Sequence, residues 1–122
     1  MSLLQSRAAH GAAGFALMGG WAVFANRGHP MPAPLLAGLV QGCLTAAITL
    51  FLKRVIEAVS ARSQGAMRLV LPPACAALTS AVVLGGAHWL AGTPALLATV
   101  AVPLAVSTCY AVLYAWTLTH AD

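Results

Sequence analysis

Acidic side chains are almost missing from this sequence: Glu57 and Asp122 are its only carboxylates. Neither lies inside an apolar run, which excludes a proton-coupled cycle on an intramembrane Asp or Glu. Charge of either sign is scarce, at 7% of residues against roughly 25% in a soluble domain. Water could not solvate the outside of a globule so poor in charge. Paired thiols are missing as well. Cys43, Cys75 and Cys109 each sit within an apolar run, and no C-x-x-C occurs. An odd count of such thiols argues against a disulfide framework, the missing C-x-x-C excludes a dithiol relay, and small apolar filler is the plain reading.

Catalytic signatures are absent too. There is no H-E-x-x-H, no G-x-S-x-G, no P-loop and no acid/base pair. No Cys/His spacing or carboxylate–histidine pair supports a metal site, so no metal or cofactor is expected. The net charge of +4 comes from residues at the ends of apolar runs: Arg7, Arg27, Lys53, Arg54, Arg62 and Arg68. They form no stripe and no aromatic-interleaved patch, which excludes a nucleic-acid partner.

What the sequence does have is apolar length. It is 61% hydrophobic with a mean hydropathy of +0.89. Nearly everything between Ala8 and Leu118 belongs to one of four long runs. Such runs satisfy their backbone only as helices in a bilayer. The expectation is an all-α membrane protein, a single four-transmembrane-helix bundle over residues 1–122. Its spans are about 8–25, 35–52 with helix continuing to about 62, 69–91 and 94–119. Arg7, an apolar run and Val23-Phe24-Ala25 before Asn26 have the outline of a signal peptide. The segment is read here as a spanning helix.

The connector between the second and third spans holds Lys53, Arg54, Arg62 and Arg68, and the opposite side only Arg27. The positive-inside rule makes that connector and both termini cytoplasmic. Trp21 and Trp89 then fall toward the outer interface, and Tyr114 and Trp116 toward the inner one. The expected location is a bacterial inner membrane. Between the first two spans, the prolines of Arg27–Pro34 predict an extended, polyproline-like path. Pro94 suits the first turn of span four. Leu52, Val55, Ile56 and Val59 share one helical face beyond span two, where Glu57 is within pairing reach of Lys53 and Arg54. Gly65 is a plausible stop.

Small and polar residues mark protein-facing surfaces in lipid. Gly38, Gln41, Gly42, Thr45 and Thr49 fall within about 100° on span two, with Gly38-x-x-x-Gly42 a close-approach motif. On span four, Thr99, Pro103, Ser107, Tyr110, Tyr114 and Thr117 fall within about 80°. Pro103 frees the Thr99 carbonyl and predicts a kink. Span three carries Ala76, Thr79, Val83 and Gly86 on one narrow face, and span one is rich in glycine. Gln41, Thr45, Thr49, Ser107, Tyr110 and Tyr114 could line a polar path, or simply pack helices. Arg27 and His29, with His88 nearby, form a candidate outer cationic cluster for a phosphate or carboxylate. His10 and His120 belong to the opposite face. Gly19–Ala25 faintly echoes Gly85–Ala91, and Leu35-Leu36-Ala37 echoes Leu96-Leu97-Ala98, a pattern that parallel repeats or chance would give.

These features point to a non-enzymatic integral membrane protein that works as a homo-oligomer or as a subunit beside a larger membrane-protein partner, with membrane lipids as its other partner. Handling or translocating a lipid-like or anionic amphipathic molecule is the leading role within that class. One alternative is a redox anchor holding b-type haem or quinone through His88 and a second histidine. Another is a ligand-free assembly factor.

Overall fold

The computed structural model describes residues 3–120, with side chains from Ala9 onward except His10. The side chains of Arg7 and His10, and all of Asp122, lie outside the described residues. Every regular element described is an α-helix: α1 Leu3–Ala25, α2 Ala33–Ala61, α3 Met67–Leu90 and α4 Leu96–His120. Helix is the natural state for runs dominated by Ala and Leu, because each segment then satisfies its own backbone polar groups. α2, α3 and α4 are each long and apolar enough to cross a membrane. The described apolar part of α1, Gly11–Ala25, is shorter.

α2 is the centre of the bundle and meets all three other helices. α1 packs on α2, α3 packs on α4, and α1 also touches α4. Among the described residues α1 and α3 do not meet. The apolar core lies between α2, α3 and α4. Ile48, Leu52 and Ile56 of α2 face Ala76 and Leu84 of α3 and Ala111 and Ala115 of α4. Large side chains on α2 meet small ones on α4, as interdigitating helices require.

α1 is held by a different device. A Cβ on Gly19 would stand 2.9 Å from the Gly38 carbonyl oxygen, so the two backbones touch. The Phe15 ring lies over Gly42, 2.7 Å from where a Cβ would be. Close backbone approach increases van der Waals contact where lipid gives no hydrophobic drive. Gly11 and Gly20 face open space and take no part in this contact.

The connectors differ from the extended path expected of their prolines. The Asn26 carbonyl accepts from His29 N–H at 3.0 Å and the Pro30 carbonyl from Ala33 N–H at 3.1 Å, so the chain turns tightly there. α2 already begins at Ala33 with Pro34 in its first turn. Proline fits that position because the first helical N–H groups lack intrahelical partners anyway. α3 begins at Met67, earlier than the sequence suggested, with Pro72 and Pro73 buried in its second turn. α4 begins at Leu96, just beyond Pro94. Gly65 adopts φ +59° in the α2–α3 connector.

One local pairing also differs. The Glu57 carboxylate does not fold back on its own helix. It accepts a hydrogen bond from Tyr114 Oη of α4 at 2.5 Å. After Pro103, Ser107 and Thr108 both donate to the Leu104 carbonyl, at 3.1 and 2.8 Å.

Candidate functional site

The polar interior is concentrated at the end of the bundle that holds the α1–α2 and α3–α4 connectors. It starts from a helix terminus. α3 stops where Gly92 takes φ +73°, a left-handed conformation in which a Cβ is strained. Gly92 N–H then donates to the Trp89 carbonyl at 3.1 Å, and Thr93 N–H to the His88 carbonyl at 2.9 Å. This pair of bonds is a Schellman motif, which brings the second residue past the cap back over the third residue from the end. A hydrophobic contact usually accompanies it. Here the contact is polar: Thr93 Oγ1 lies 2.8 Å from His88 Nδ1.

The other ring nitrogen crosses to α2. His88 Nε2 lies 2.8 Å from Gln41 Oε1, and both residues are fully buried. The direction of each bond follows from its neighbours. The Thr45 hydroxyl donates to the Gln41 backbone carbonyl at 3.0 Å, so it accepts from Gln41 Nε2, also at 3.0 Å. Gln41 therefore turns its oxygen toward His88. His88 Nε2 in turn donates to Gln41, and both ring nitrogens are engaged.

Asn26 ties the other helix pair. Buried just past α1, it donates through Nδ2 to Thr99 Oγ1 at 2.7 Å and to the Ala22 carbonyl at 2.8 Å. Its Oδ1 accepts from Ala95 N–H at 2.9 Å. Ala95 immediately precedes α4, so Asn26 fixes the start of that helix from across the bundle. Trp21 Nε1 donates to the Ala98 carbonyl at 3.0 Å and reinforces the same junction. The arrangement is reciprocal: α1 of the first hairpin is bonded to α4 of the second, and α3 of the second to α2 of the first.

The residues singled out as a polar path are engaged in different ways. Gln41 pairs with His88 and Thr45. Thr49 is exposed and donates to the Thr45 carbonyl at 2.7 Å. Half-buried Ser107 bonds within α4. Tyr110 and Tyr114 stack with centroids 5.7 Å apart and planes at 10°, beside Glu57. Pro103 is buried. The members of the cationic cluster differ in burial. Arg27 and His29 are exposed, whereas His88 is buried against Gln41 and Thr93. The Arg27 guanidinium donates to the Phe24 carbonyl at 2.9 Å and lies 3.8 Å over the Phe24 ring centroid.

Asn26 and Thr93 are the residues that sequence reasoning passed over. The signal for Asn26 was present. It is the sole asparagine of the chain, at the end of an apolar run. A carboxamide there needs a partner for the same reason that Gln41 does. Both ring nitrogens of His88 are occupied, by Gln41 and by Thr93. Among the described residues no three His, Cys, Asp or Glu side chains converge. No family model, curated protein or solved structure matches the chain.

Proposed function

We propose that this chain is a four-span, non-enzymatic integral membrane protein that works as a subunit of a larger membrane complex. Its α2–α3 connector and both termini face the cytoplasm, because Lys53, Arg54, Arg62 and Arg68 gather on that side. A bacterial cytoplasmic membrane is the expected setting. The observation that carries the reading is how the buried polar groups are used. Asn26, Gln41, His88 and Thr99 all bond one another or their neighbouring backbone. They tie the two hairpins together at the outer end, and each of these four side chains is engaged in a structural bond. Native mass spectrometry from mild detergent tests this. The expected mass is a complex of defined stoichiometry that contains a second protein, and a chain released only as a monomer with lipid would end the proposal.

One observation keeps the handling of an amphipathic anionic molecule as a second reading. On the inward half, Thr49 is exposed and Tyr110 is 38% exposed beside Tyr114. In that case Thr49→Val with Tyr110→Phe should lower lipid flux in reconstituted vesicles, while the fold is unchanged. Equal flux removes this reading and leaves the first intact.

A further inference from the structure

Glu57 is the one carboxylate among the described residues, and α4 holds it in place. Its Oε2 accepts from Tyr114 Oη at 2.5 Å, and Oε1 has no partner among the described residues. Tyr110 stacks on Tyr114, so the phenol that holds the carboxylate is itself backed by a second ring. Lys53 and Arg54 lie four and three residues earlier on α2, and they and Glu57 are all exposed. The bond to α4 draws the carboxylate away from these two cations of its own helix. One fixed negative group and two positive groups thus share the inner end of α2.

Depth separates the two signs. Glu57 stands 24 residues from Ala33, the outer end of α2, and Lys53 stands 20. At 1.5 Å per residue these are about 36 Å and about 30 Å. In the four-span reading the hydrocarbon is about 30 Å thick, so Lys53 and Arg54 meet its inner boundary. Glu57 then lies about 6 Å further out, among the headgroups. Exposed Trp116, two residues beyond Tyr114, has the position of an interfacial belt residue. In a phospholipid the phosphate joins the glycerol of the acyl chains, and any headgroup cation lies beyond it. Cations at the boundary followed by a carboxylate repeat that order with the signs reversed. A glycerol headgroup brings no cation to Glu57, and anionic lipids add a negative surface potential that opposes a carboxylate. A primary ammonium donates to a carboxylate in a charge-assisted bond, which a quaternary ammonium has no N–H to make.

We propose that the inner end of the α2–α4 face binds a zwitterionic phospholipid with a primary ammonium headgroup, its phosphate against Lys53 and Arg54 and its ammonium on Glu57. This uses the four-span reading alone and needs no second protein. The test is native mass spectrometry from mild detergent, after exchange into phosphatidylethanolamine, phosphatidylcholine or phosphatidylglycerol of matched acyl chains. Retention of phosphatidylethanolamine should exceed that of either other lipid about two- to fivefold, the ratio expected of one partly exposed ion pair. Glu57→Gln keeps an oxygen for Tyr114 and should erase the preference. Lys53→Ala with Arg54→Ala should lower retention of all three lipids together, because each has a phosphate. Equal retention of the three by the unaltered protein, or a preference for phosphatidylglycerol or phosphatidylcholine, would overturn the proposal. So would a preference that survives Glu57→Gln, or retention indifferent to the loss of both cations. The lipid comparison on the unaltered protein decides by itself, whatever the stability of the variants. Protein and lipid masses are read separately, so absence of a second protein would end the subunit reading and leave this site standing, and the reverse also holds.

Discussion

Gln41 and His88 are 47 residues apart in sequence and join side chain to side chain at 2.8 Å, with no solvent access to either. The bond links the central helix to the end of α3. Gln41→Leu leaves His88 Nε2–H buried without a partner, a loss of about 1–3 kcal/mol. His88→Leu leaves the Gln41 oxygen in the same position. Replacing both removes donor and acceptor together, so the double variant should lose less than the sum of the singles. The coupling should be about 0.6 kcal/mol and at most about 1.7, as measured between helices in a membrane. Unfolding the four proteins in mixed detergent gives the cycle directly, and strict additivity would show that the two side chains act independently.

The glycines divide into two classes by what surrounds them. Gly42→Ala forces the new Cβ into the Phe15 ring, and Gly19→Ala forces it into the Gly38 carbonyl. Each should destabilise the α1–α2 pair by about 1–3 kcal/mol, the usual range for overpacking. Gly11→Ala and Gly20→Ala meet nothing within 4 Å. They should be neutral or gain up to about 1 kcal/mol, because alanine is the better helix former. Thermal inactivation in detergent ranks the four, and equal effects would refute the close packing of α1 on α2.

Gly92→Ala tests the turn that places Thr93. Its φ of +73° suits glycine, and open space around it removes any steric argument about neighbours. The substitution should lower stability by about 1 kcal/mol through backbone strain alone. It should also loosen Thr93 from His88 Nδ1. Thr93→Val, which keeps the turn and removes the hydroxyl, separates the two contributions in the same unfolding measurement.

Much of this architecture is legible in the sequence, and the parts that are not have identifiable causes. Long apolar runs separated by Pro/Gly connectors lead directly to the helices, because a bilayer admits few other solutions. Gly38 and Gly42 sit one turn apart on one face, and that spacing is a local signal. Asn26 gives no periodic signal. Its partners Ala95 and Thr99 are 69 and 73 residues away, and only the assembled bundle brings them together. Glu57 illustrates the opposite error. Helical spacing offers it Lys53 and Arg54, but all three are exposed, where such pairs contribute little. Tyr114 of a neighbouring helix takes the carboxylate instead. The prolines of the first connector fix φ without fixing the path, and the tight turn is decided by backbone bonds around them.

α2 is made early and completed late. A growing chain delivers α1 and α2 first, so Gln41 emerges before its partner His88 exists to receive it. Until the second hairpin is inserted, that carboxamide can bond only to Thr45 beneath it, and the first hairpin remains an unfinished product. In the four-span reading proposed above, insertion of the first hairpin and its docking to the second are separate events, and a chaperone or protease that recognises a bare amide in lipid would act in the interval between them.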